Sequence, residues 1–77
     1  MARITLQQDV RVFERPGART TLLRTETYLA AGTTVETGDP RLMFYDHQNH
    51  IAVPFDTASG QTGWLLVHEV GAPELKN

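Results

Sequence analysis

Turn-forming residues divide this chain of 77 residues into short runs bounded by glycine, proline and aspartate. Arg-Pro-Gly at 15–17, Gly-Asp-Pro at 38–40 and Ser-Gly at 59–60 are combinations that reverse a chain. The segments between them are rich in threonine and aromatic residues, which favours strands. We predict five strands: Asp9 to Glu14, Thr33 to Thr37, Arg41 to His47, His50 to Asp56 and Thr62 to Val67.

The length indicates one domain over residues 1–77, with a core at about 9–74. The chain has no cysteine, so its stability must come from packing or from self-association. The first ten residues contain no apolar run of the length that a signal peptide or a membrane span needs. We therefore expect a cytoplasmic protein, or a domain excised from a larger one, with no membrane partner.

The third and fourth predicted strands should form a hairpin with a two-residue turn at Gln48 and Asn49. This register sets His47 opposite His50 and Phe44 opposite Val53. One face is then the expected core, formed by Leu42, Phe44, Ile51, Val53 and Phe55. The other face carries Met43, Tyr45, Ala52 and Pro54, and a binding surface there is the less favoured alternative.

The segment from Thr20 to Gly32 is ambiguous. Leu22 and Leu29 are seven residues apart and Gly32 suits a helix C-terminus, so one amphipathic helix is an alternative. Four threonines in the first eight residues disfavour a helix, because β-branched side chains lose rotamer freedom there. We predict a long, folded-back loop.

Two segments resemble the Src-homology-3 (SH3-like) family. Arg24 to Gly32 is similar to the end of the RT loop and the diverging turn. Gly60 to Val70 resembles the distal hairpin with the following strand and 3₁₀ turn, including the G-x-x-G-W sequence of bacterial SH3-like domains. The resemblance extends from Val10 to Glu74 and implies an all-β fold, a five-stranded antiparallel barrel. Gly38 to Asn49 would form a long n-Src-type loop or an extra strand.

The same resemblance argues against proline-rich peptide recognition. The first strand, Val10 to Arg15, lacks the tyrosines that line the family's groove. The groove's tryptophan, proline, asparagine and tyrosine positions fall on Ile51, Leu66, His68 and Glu69. Without stacked aromatic rings, no ridged surface would receive a polyproline helix.

Few residues are suited to catalysis or metal binding. The only serine, Ser59, lies at a predicted hairpin tip, where a turn role is favoured over a nucleophilic one. His47 and His50 form an H-x-x-H spacing, but solvated polar residues are the favoured interpretation. We expect a protein that is not an enzyme, with no metal site and no cofactor.

The favoured function is a non-catalytic interaction module that binds another protein or domain, with self-association as a further expectation. A bacterial SH3-like module that binds cell-wall glycans is one alternative. Nucleic-acid binding through Arg11, Arg15, Arg19 and Arg24 is another, which the net charge of -2 and the lack of interleaved aromatic residues disfavour. The candidate partner-binding residues are Arg15, Arg19, Arg24, Tyr28, Tyr45, Trp64, His68 and Glu69. For the tyrosines and Trp64, packing is the favoured role.

Overall fold

The computed structural model describes residues 2–14 and 21–71. The elements in chain order are β1 (Ala2–Thr5), β2 (Val10–Phe13), β3 (Arg24–Leu29), β4 (Thr34–Thr37), β5 (Arg41–Tyr45), β6 (Gln48–Asp56), β7 (Thr62–Leu66) and α1 (Val67–Val70). The predicted all-β class is confirmed. All five predicted strands are present, with ends that differ by at most two residues, and β1 and β3 are additional. Across the described residues, no helix is long and apolar enough to cross a membrane.

The strands form one antiparallel sheet in the order β1-β4-β6-β7-β2-β3, and β5 pairs with β6 outside this path. The long strand β6 organises the sheet. Ala52 pairs with Arg41 of β5 and Leu66 of β7, whereas Phe55 pairs with Thr37 of β4 and Gly63 of β7. Strands β4 and β5 therefore follow one another along the same edge of β6.

The prediction of a closed five-stranded barrel is wrong. The sheet has seven strands, and within residues 2–14 and 21–71 no ladder joins its two end strands, β1 and β3. The sheet nevertheless bends, because one core cluster contains both Ile4 of β1 and Leu29 of β3. This first cluster comprises Ile4, Leu6, Val10, Val12, Leu29, Val35, Val53, Phe55, Leu65, Val67 and Val70.

A second cluster covers the opposite face of the sheet. It consists of Phe13, Leu22, Met43, Ala52 and Leu66, with Tyr45 and Trp64 packed against it. Successive strand residues point to opposite faces, yet Ala52 and Val53 are both completely buried. The centre of β6 is therefore covered on both sides.

The predicted register of the β5–β6 hairpin is wrong. Tyr45 pairs with Gln48, so the turn lies at Asp46 and His47, two residues before the predicted position. Asp46 and His47 have φ values of 53° and 63°, as a type I′ turn requires at both central residues. Sequence reasoning missed this turn because neither residue is glycine or asparagine.

The turn is displaced by two residues, an even number, so the side chains predicted to share a face still do so. The predicted core is only partly right. Val53 and Phe55 are buried as predicted, whereas Leu42, Phe44 and Ile51 are 64%, 43% and 50% exposed. The opposite face of the hairpin is buried instead. Leu22 contributes to this burial, because its N–H donates to the Phe44 carbonyl at 3.1 Å and its side chain packs in the cluster that contains Met43.

The described part of the Thr20 to Gly32 segment contains a strand, so the predicted loop is wrong over β3. Leu22 and Leu29 belong to different clusters, on opposite faces of the sheet. One face of a helix could not supply both clusters. The pairing of β3 with β2 shifts register between Arg11 and Phe13, where the Thr25 hydroxyl donates to the Val12 carbonyl.

Candidate interaction surface

Arg11 lies at the centre of the candidate site and forms an ion pair with Glu69 of α1. Its Nε donates to Oε2 of Glu69 at 3.1 Å, and its Nη2 also donates to Oε2. The Arg11 and Glu69 side chains are only 28% and 18% exposed. The hydrogen bond to Glu69 is the main cause that raises the pKa of Arg11 above its ordinary value. The guanidinium is therefore a fixed positive charge with its counter-ion in place.

Two aromatic rings lie beside this guanidinium. Its central carbon lies 5.4 Å from the ring centre of buried Phe13 and 6.0 Å from that of Tyr45. The rings of Phe13 and Tyr45 meet edge to face at 4.9 Å. The Tyr45 ring lies 5.9 Å from His50, and the His50 ring lies 5.3 Å from His68. Contacts thus run from Arg11 through Tyr45 and His50 to His68. Glu69, the residue after His68, forms the ion pair with Arg11.

Strand pairing adds a further ring to this surface. Arg11 and Tyr28 are partners across β2 and β3, so their side chains lie on the same face, and Tyr28 is 57% exposed. We call Arg11, Tyr28, Tyr45, His50 and His68 the aromatic strip. The first four are placed by strand register and His68 by α1, which begins directly after β7.

The short helix α1 is held in place from several directions. It buries Val67 and Val70, and it ends at Gly71, whose φ of 77° is a left-handed cap. Gln8 donates from Nε2 to the Glu69 carbonyl at 2.6 Å. These contacts fix the backbone that carries His68 and Glu69.

The structure brings together four of the eight predicted partner-binding residues, namely Tyr28, Tyr45, His68 and Glu69. Arg24 and Trp64 lie opposite Phe13, on β3 and β7 respectively, with Arg24 exposed and Trp64 half-buried. Arg15 and Arg19 lie outside the described residues. Sequence reasoning did not single out Arg11 or His50 as members of this surface. The alternation of Val10, Arg11 and Val12 was the available signal, since it places Arg11 on the face opposite the apolar pair.

The histidine pair considered from the sequence does not form. His47 occupies the turn, and His50 pairs with Met43. The neighbour of the His50 ring is instead His68. In the part of the chain that the structure describes, no three histidine, aspartate or glutamate side chains are grouped closely enough to hold a metal.

Trp64 is half-buried against the second core cluster and pairs with Phe13 and Pro54. The preceding Gly63 allows this approach, because a Cβ there would lie 2.9 Å from Cγ1 of Val12 and 3.0 Å from the Phe13 carbonyl oxygen. Trp64 also lines a cleft with the acidic residues Glu14, Glu36 and Asp56.

The groups of the strip are suited to binding. They present aromatic faces with polar edges around one charge that is already neutralised. Ser59 lies at the tip of the β6–β7 turn, where its hydroxyl is 3.0 Å from the Thr57 hydroxyl.

The chain matches no protein-family model, and no curated protein or solved structure is significantly similar to it.

Proposed function

We propose that this protein is a non-catalytic interaction module that binds another protein through the aromatic strip. The observation that carries this proposal is the circle of contacts from Arg11 through Tyr45, His50 and His68 to Glu69. Tyrosine and arginine are enriched among the residues that dominate protein–protein binding energies. Here they occur together on one face.

The strip is also preorganised, which favours binding. Ordering a long or aromatic side chain costs free energy when it happens on association. Arg11 is held by Glu69, and Tyr45 rests on the buried ring of Phe13. A partner would therefore meet the Arg11 guanidinium and the Tyr45 ring already in position.

The charge balance indicates the chemistry of the partner. Because Glu69 neutralises Arg11, the strip offers little free positive charge to a polyphosphate. Its rings present apolar faces with hydroxyl and imidazole groups at their edges. These groups suit a protein surface that combines apolar side chains with hydrogen-bonding groups.

We further propose that the architecture is a variant of the SH3-like fold, with two strands more than that fold's five. The immediate succession of β6, a tight turn, β7 and a short helix supports this proposal. His68 and Glu69 stand where the resemblance puts the groove residues asparagine and tyrosine. The proposed surface thus uses that region with different side chains.

Affinity enrichment with immobilised protein tests the proposed function. The wild type is compared with Tyr28→Ala and His68→Ala, which change exposed side chains and should fold normally. Phe44→Ala is the matched control, since Phe44 is an exposed aromatic residue of β5 outside the strip. We expect one partner protein that the wild type and the control retain, and whose affinity each strip variant weakens by about tenfold or more.

Four outcomes would contradict the proposal. Binding that survives both strip changes would exclude the strip, and binding lost only in Phe44→Ala would move the site to the apolar face of the hairpin. Retention on purified peptidoglycan without any protein partner would favour glycan binding. Turnover that disappears when one polar residue is replaced would contradict the non-catalytic part.

A further inference from the structure

His50 and His68 come from distant parts of the chain and meet at one end of the strip. Their ring centres are 5.3 Å apart, and their planes are within 22° of parallel. His50 is half-buried in β6, and His68 is exposed in α1. Neither belongs to the two core clusters, so packing of the apolar core does not account for the pair.

We propose that His50 and His68 together bind one divalent transition-metal ion of the zinc, nickel and copper class. One nitrogen of each imidazole would coordinate the ion, and water would complete the coordination. Imidazole nitrogen is a preferred ligand for these ions. The site does not depend on the proposed partner binding.

The ring separation fits a shared ion. A metal about 2.1 Å from one nitrogen of each ring would lie about 3.2 Å from each ring centre. The two rings are stacked as observed, so their nitrogens do not yet point to one position; once one ring has turned, ring centres 5.3 Å apart would subtend an angle of about 110° at the metal, close to the tetrahedral angle. His68 is exposed, so its ring can turn to direct a nitrogen towards that point without disturbing the core.

The surrounding charges permit a cation at this position. Arg11 is the nearby positive group, and its ion pair with Glu69 offsets that charge. Tyr45 also packs against His50, with ring centres 5.9 Å apart, and limits its movement. Glu69 is engaged by Arg11, so two imidazoles hold the ion. We expect weaker binding than at a structural zinc site, where four protein ligands coordinate.

This proposal departs from the sequence prediction of no metal site, which considered His47 with His50. The register of β5 and β6 separates those two residues and leaves His47 in the turn. His47 thus provides a matched control within the same chain. The chain has three histidines in total, so three single substitutions cover them all.

Titration of the full chain with Zn²⁺ by calorimetry tests the proposal, with the histidine ring resonances followed by NMR in parallel. The variants are His50→Gln, His68→Gln and His47→Gln. We expect one ion per chain, with both His50 and His68 resonances shifting. Losing either ligand removes the advantage of two linked contacts, so His50→Gln and His68→Gln should each weaken binding by about tenfold or more. His47→Gln should bind as the wild type does.

The proposal is overturned if the wild type shows no saturable binding up to about 1 mM Zn²⁺. It is equally overturned if His68→Gln binds as tightly as the wild type, or if the shifts centre on His47. Because His50 is half-buried, thermal unfolding of its variant is measured first. The exposed His68 decides the outcome if the His50 variant is unstable.

Discussion

At the scale of single residues, the β5–β6 turn shows how two backbone angles determine a register. Both Asp46 and His47 adopt positive φ, which costs a residue with a side chain about 1–2 kcal/mol in the left-handed region. The sequence drew attention to Asn49, a common turn residue. Asn49 instead lies in β6, opposite Phe44. The chain tolerates the strain because the turn allows Met43 and Ala52 to reach the second core cluster.

This strain predicts that His47→Gly stabilises the protein. Glycine adopts positive φ without steric cost, and part of this gain is offset by its greater freedom in the unfolded chain. We expect the free energy of unfolding to rise by about 0.5–1 kcal/mol, measured by urea denaturation. Asn49→Gly is the matched control and should destabilise by about 0.5–1 kcal/mol, because it weakens a strand. The opposite result for the two variants would restore the register predicted from the sequence.

At the scale of elements, local patterns predicted those strands whose alternation and turns are visible in sequence. Strand β3 was missed because its threonines and its glutamate give no clear alternation, and β2 supplies its partner. Strand β1 was missed because only Ile4 of its four residues is buried. The strip could not be predicted as a unit, since it needs β2, β3, β5, β6 and α1 to meet. Only the positions of single aromatic residues were visible beforehand.

The attachment of α1 gives the prediction at this scale. A helix of four residues is too short to be stable alone, so its position depends on tertiary contacts. A double-mutant cycle with Arg11→Met and Glu69→Gln should give a coupling energy of about 1–2 kcal/mol, because the pair is charged and partly buried.

Arg3→Met and Glu36→Gln form the control cycle. That pair is 2.8 Å apart, but its side chains are 73% and 45% exposed, so its coupling should stay below about 0.5 kcal/mol. Both cycles are measured by denaturant unfolding. Equal coupling in the two cycles would show that the Arg11–Glu69 pair does not anchor α1.

At the scale of the whole molecule, the bent sheet makes distant segments depend on one another. Ile4 and Leu6 lie before the core that the sequence predicted at about 9–74. They pack in the same cluster as Val70, near the other end of the described chain. The backbone also links the first segment to the middle of the chain, because the Gly32 N–H, between β3 and β4, donates to the Leu6 carbonyl at 2.8 Å. A small domain without disulfides has no other reservoir of stability, so its first strand should matter as much as its centre.

Ile4→Ala tests this dependence. Ile4 is only 3% exposed, and removing a buried isoleucine side chain typically costs about 2–5 kcal/mol. A domain of this size has a free energy of unfolding of about 4–12 kcal/mol. The variant should therefore lose a large part of that free energy and unfold at a lower temperature and urea concentration. The control is Thr5→Ser, which keeps the hydroxyl 3.0 Å from that of Thr34 at an exposed neighbouring position and should stay within about 0.5 kcal/mol of the wild type. Thermal and urea unfolding measure both variants. If Ile4→Ala is as stable as its control, the part of the core that stabilises the fold begins after β1, and the bend of the sheet does not depend on that strand.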